Sequence, residues 1–204
     1  MLFTALDSGE EISNIVLMGI GEPMDNYDNL VRFVRLLSSQ EGLNISQRNI
    51  TVSTCGIVPN MYKLADEGLQ ITLALSLHAP NDTIRNQTMP VSKRWPMETL
   101  LLACRRYAEE TGRRVSFEYA LIRNLNDSMA CADELAKRLS GMLCHVNLIP
   151  VNEIRETAYH RSETARILAF QQRLTKHGIN ATVRRTLGAD INAACGQLRR
   201  EQLL

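Results

Sequence analysis

Apolar residues recur along this chain in two alternating rhythms. Short runs rich in β-branched residues are followed by stretches with an apolar stripe at helical spacing, the pattern of strands and helices in turn. The first run, Ile15-Val16-Leu17-Met18, reads as a buried strand that stops at Gly19-Ile20-Gly21-Glu22-Pro23. A helix over 27–40 follows, capped by Asp25 or Asn26, with Leu30, Phe33, Val34 and Leu37 on one face and Gly42 after it. Strands at 49–54, 71–77, 114–122, 143–149 and 180–185 come next. Between them lie helices at 58–67, 96–110, 127–140 and 162–177, with Asp127 and Ser162 as caps of the last two. Gly68, Gly112, Gly141 and Gly178 stand where these helices should stop. Residues 1–12 read as the last turns of a further helix and a loop.

Strand–helix alternation with short loops predicts an α/β fold with a parallel sheet and right-handed crossovers. No repeat period or low-complexity linker divides the chain, so 1–204 is expected to be one domain. GIGEP is not a GxGxxG fingerprint, which argues against a dinucleotide fold.

Composition adds limits rather than an answer. The 204 residues are 45% apolar and carry a net charge of +1, so no global field selects a partner. The sign is uneven: residues 150–204 hold nine Lys/Arg against five Asp/Glu, and that quarter is where an anionic partner would be sought. The cysteines, Cys55, Cys104, Cys131, Cys144 and Cys195, have no CxxC-type spacing. Their odd number, without a signal peptide or spanning segment in the sequence, points to a reducing, cytoplasmic setting.

The chemistry collects at the strand ends. Gly21-Glu22, Ser53, Ser76-Leu77-His78 and Asn152 all stand at or just after the carboxyl end of a predicted strand, where parallel α/β folds place ligands. They offer a carboxylate, hydroxyls, an imidazole and an amide, a set suited to a polar molecule with an amine, a carboxylate and a ribose. Cys195 lies among small residues in GADINAACGQL, with Arg184, Arg185, Arg199 and Arg200 to favour its thiolate.

In order and spacing, GEP, STCG, SLHAPND, NLIPVN and RRTLGADINAACGQL resemble the RlmN/Cfr family of radical S-adenosylmethionine (SAM) RNA methyltransferases. The resemblance runs over nearly all of residues 14–200. It implies a partial (β/α)6 TIM-like barrel that lacks its first strand, then a C-terminal strand and catalytic tail. It implies that Gly21, Glu22, Ser53, Ser76, Leu77, His78 and Asn152 contact SAM, and that Cys195 accepts a methyl group. The expected reaction is RlmN-like methylation of adenine carbon 2 in large-subunit rRNA and tRNA through a methyl-cysteine intermediate. The alternatives are Cfr-like methylation of carbon 8, or a SAM-binding module without catalysis.

The family also uses a 4Fe–4S cluster held by CxxxCxxC, an external electron donor, a resolving cysteine, an acidic proton acceptor and a small N-terminal domain. No CxxxCxxC occurs in these 204 residues, so no metal ligand is assigned. The chain is therefore expected to be the C-terminal two-thirds of an RlmN-like protein, inactive by itself, with an open sheet edge beside Ile15–Met18.

Overall fold

The computed structural model describes residues 7, 9, 11–151 and 159–184. Among them are six strands and six helices, one helix between successive strands except for two between the third and the fourth. The strands are β1 (Ile15–Leu17), β2 (Ile50–Thr54), β3 (Thr72–Ser76), β4 (Val115–Leu121), β5 (Cys144–Pro150) and β6 (Ala181–Val183). The helices are α1 (Tyr27–Ser38), α2 (Val58–Asp66), α3 (Asp82–Thr88), α4 (Met97–Thr111), α5 (Met129–Leu139) and α6 (Thr164–Lys176). Every strand pairs in parallel with its neighbours in sequence, in the order β1-β2-β3-β4-β5-β6. Right-handed crossovers then put the helices on one face of the sheet. This is the arrangement of a partial TIM-like barrel.

Side chains on a strand alternate between faces, and here the two faces differ in kind. Ile50, Val52, Leu73, Leu75, Phe117, Tyr119, Val146 and Leu148 are fully buried and join helix residues Leu64, Leu100, Cys104, Leu135 and Phe170 in one core. The Tyr119 and Phe170 rings lie with centroids 5.4 Å apart. The alternate positions, Thr51, Ser53, Ser76, Ser116, Glu118 and Asn147, are polar and form the inner face. Register aligns them across the sheet: Ser53 lies beside Ala74, and Ser76, Glu118 and Asn147 share one row. A parallel sheet packed on both faces would read as continuous apolar runs; a polar inner row marks the face left for a ligand.

Three expectations need correction. Asp127 does not cap α5: its carboxylate accepts from the Asn124 N–H at 3.0 Å, and the Ser128 hydroxyl accepts from Cys131 N–H instead. Ser162 does not cap α6 either; it is buried, Glu163 occupies the cap position, and no side chain bonds there. Helix α3 and the 3-10 turn Pro90–Lys93, absent from the pattern reading, fill the stretch before α4. Of the expected helix and loop in residues 1–12, only residues 7, 9, 11 and 12 are described, and Asn152 and Cys195 lie outside the described residues.

Candidate functional site

Strand β1 delivers Gly21 and Glu22 to the carboxyl end of the sheet. Gly21 has φ +99°, a backbone conformation that side-chain-bearing residues rarely adopt, and it turns the chain into Glu22. Both oxygens of Glu22 are engaged. Oε1 accepts from Met24 N–H at 3.0 Å, opening the 3-10 turn Pro23–Asn26, and Oε2 accepts from Cys55 N–H at 2.7 Å. The second bond ties the end of β1 to the end of β2. Each oxygen keeps a lone pair, so the half-buried carboxylate can still accept from an ammonium group.

The Cys55 thiol is pushed up to about 12 by burial and by the neighbouring Glu22 carboxylate, which makes it a poor nucleophile. Next to it, Gly56 has φ +104°, and a Cβ there would stand 2.6 Å from Leu100 Cδ1. The β2 turn can therefore lie directly on α4 only because residue 56 lacks a side chain.

The Ser76-Leu77-His78 turn is held almost completely through its backbone. The N–H groups of Leu77 and His78 donate to the Glu118 carbonyl, at 3.0 and 3.2 Å. The Ser76 and Leu77 carbonyls accept from Arg85, and the His78 carbonyl accepts from Asn126 Nδ2 at 2.8 Å. Leu77 points into the core, so any ligand contact from it must come through the main chain. His78 is left-handed, φ +57°, an unusual state for a residue with a Cβ and one that these bonds maintain. Its Nδ1 accepts from Ala120 N–H at 3.0 Å. A ring whose Nδ1 accepts must carry its proton on Nε2 when neutral. It is neutral, because burial, then the Arg85 charge, lower its pKa to about 4. His78 thus offers an N–H donor. The hydroxyls of Ser53 and Ser76 are half-buried on the inner face and make no hydrogen bond among the described residues.

Three residues of this site escaped the sequence reading. Glu118 lies in the row of Ser76, 8% exposed, and accepts from Ser116 Oγ at 3.2 Å and Asn147 Nδ2 at 2.8 Å. Burial raises its pKa, opposed by those bonds and by Arg184. The alternation of Ser116, Glu118 and Ala120 against Val115, Phe117 and Tyr119 was a signal that could have placed it on the inner face. Asn126, fully buried, also bonds the Ala120 carbonyl and the Ile122 N–H. Arg85 had no pattern to reveal it.

The structure therefore brings Gly21, Glu22, Ser53, Ser76, Leu77 and His78 to one end of the sheet. Its donor set fits a ligand with an ammonium group and hydroxyls, as SAM has. Among the described residues, no group of three or more His, Cys, Asp or Glu could hold a metal ion. Nor is any helix there long and apolar enough to cross a membrane.

Comparison with known proteins defines the class. The chain belongs to the Radical SAM superfamily, whose family model matches residues 4–136. Within it, the chain is 62% identical over 193 residues to a protein of Lachnoclostridium phytofermentans named probable dual-specificity RNA methyltransferase RlmN, covering 95% of this chain and 54% of that protein. A protein of the same name from Clostridium tetani is 59% identical over 194 residues, covering 95% and 56% respectively. A crystal structure of a radical SAM methyltransferase from Sphaerobacter thermophilus matches with TM-score 0.90 and 52% identity over 96% of this chain and 57% of that one. A domain of pyruvate-formate lyase-activating enzyme from Bacteroides vulgatus shares the fold, with TM-score 0.67 at 19% identity, over 85% of this chain and all of that one. The chain spans about half the length of the curated relatives it matches, less than the two-thirds that the resemblance implied.

Proposed function

We propose that this chain is the SAM-binding and methyl-accepting part of an RlmN-like RNA methyltransferase acting on adenine carbon 2 of large-subunit rRNA and tRNA. The observation that carries the SAM site is the Glu22 carboxylate, clamped between two strand ends by two backbone amides with lone pairs still free. The relatives' name supplies the RNA substrate class.

When bound, SAM supplies an electrophilic methyl group. Glu22 would hold its ammonium, and the Ser53 and Ser76 hydroxyls and the His78 Nε2–H would serve its remaining polar groups, with Asn152 added from the sequence. Cys195 would take the methyl as a thiolate: a sulfur–carbon bond forms on the cysteine while the sulfonium–methyl bond breaks, and the thiol proton passes to solvent. Neutral His78 suits this cradle, since it adds no positive charge to a site that would take a cationic ligand. The adenine must be unstacked to be reached. The cluster is assigned to residues other than these 204 and its reduction to an external electron donor, so the isolated chain is expected to bind SAM and to leave RNA unmethylated.

Titration calorimetry of the chain with SAM, followed by anaerobic cluster reconstitution and mass spectrometry of treated RNA, tests both halves. We expect binding that weakens at least about tenfold in Glu22→Gln, through loss of a charge-assisted bond, and no methyladenine. No SAM binding would overturn the site, and RNA methylated by the isolated chain would overturn its inactivity.

A further inference from the structure

Arg85 is 1% exposed, in a helix of seven residues. Buried arginines usually meet a carboxylate. Among the described residues Arg85 makes no ion pair; its guanidinium instead donates to three main-chain carbonyls. Nε reaches the Leu77 carbonyl at 3.2 Å, and Nη2 reaches those of Cys55 at 2.8 Å and Ser76 at 3.3 Å. The first and third lie at the end of β3, and the second just past the end of β2.

Short as it is, α3 is firmly placed. The Asn81 side chain caps it by accepting from Ile84 N–H at 3.0 Å and donates to Glu134 on α5 at 2.6 Å. The Asp82 carboxylate accepts from Met97 N–H, where α4 begins, at 2.7 Å. The arginine is therefore carried by a helix anchored to two others, and its fork is aimed.

An apolar side chain of similar volume would avoid the desolvation penalty of a buried charge. The guanidinium adds two things an apolar group cannot. It fixes the direction of three carbonyls on two strand ends, and it puts a positive charge one residue from His78. We propose that Arg85 is a positioning residue of the ligand site, joining the carbonyl ends of β2 and β3 so that Glu22, bonded to Cys55, and His78 keep their relative placement. This rests on the reading of the site as a SAM site. The chain of contacts is continuous: Glu22 to the Cys55 amide, the Cys55 carbonyl to Arg85, and Arg85 to the Leu77 carbonyl beside His78. The same charge helps keep the His78 ring neutral.

Lysine keeps the charge but cannot reproduce the planar fork, whereas glutamine loses the charge. The test compares the 204-residue chain with Arg85→Lys and Arg85→Gln, measuring SAM affinity by calorimetry, His78 by ¹⁵N NMR titration, and thermal stability. We expect Arg85→Lys to bind SAM roughly tenfold or more weakly, as bonds from a charged donor are lost, while His78 still titrates near its depressed value. In Arg85→Gln the His78 titration should move up toward its ordinary range. A purely structural role would lower the melting temperature and leave the affinity of the folded chain unchanged; that result overturns the proposal. If the unsubstituted chain binds no SAM, the functional reading fails and this proposal with it, whereas SAM binding that Arg85→Lys leaves unchanged overturns the proposal on Arg85 alone. Should Arg85→Gln not fold, unchanged affinity in Arg85→Lys is enough to overturn it.

Discussion

His78 and Glu118 titrate away from their ordinary ranges in opposite senses, and both stand in the ligand cradle. The folded His78 value is about 4 against an ordinary 6.5. Between those values the unfolded chain takes up a proton that the folded chain refuses, so this residue's contribution is intact above 6.5 and is lost as pH falls toward 4. Glu118 runs the other way. Its folded pKa is raised above 4.5, so its contribution is present below that value and is lost as pH rises through the raised one. Melting temperatures followed across this range should separate the two. His78→Asn should flatten the acid arm, since asparagine tolerates the left-handed backbone and its carbonyl can accept from Ala120 N–H. Glu118→Gln should raise stability on the alkaline side, because the amide keeps partners in Asn147 and Ser116 without a buried charge. Unchanged pH profiles would show that these groups do not carry the shifts.

At the scale of elements, every predicted strand from β1 to β6 is present, because β-branched runs bounded by turn residues leave little alternative. The helices with a full apolar stripe were equally legible: on α1, Leu30, Val34 and Leu37 are buried as expected and Phe33 packs partly buried against the core, while Leu100, Leu101, Cys104 and Ala108 form the buried stripe of α4. Their ends were less so. Asp127 and Ser128 are both good caps and adjacent, and only the loop's turn onto Asn124 decides between them. Ser128→Ala should therefore destabilise the fold by about 1 kcal/mol in urea unfolding, the usual worth of a cap; no change would mean that α5 does not depend on this bond. Helix α3 was invisible because DTIRNQT has no stripe, and its one fully buried side chain is an arginine. Site residues at strand ends could be read by counting along the chain. Arg85 and Asn126 could not, since their role depends on carbonyls distant in sequence.

At the scale of the molecule, the sheet has two ends. Strands β1 and β6, three residues each, pair on one side only among the described residues, and Val16 is 63% exposed. Amide hydrogen exchange should therefore be graded: slowest in β3 and β4, which are flanked on both sides, and fastest at the edges. Uniform protection would contradict this order. The gradient bears on Gly21 and Glu22, which hang from β1, one of the two edge strands. The bond from the Cys55 amide to Glu22 is the clasp that holds them against the interior. That single amide proton, followed with and without ligand, would report each opening of the edge: a slower exchange rate on ligand addition would measure how far occupancy fastens this edge of the sheet to the rest.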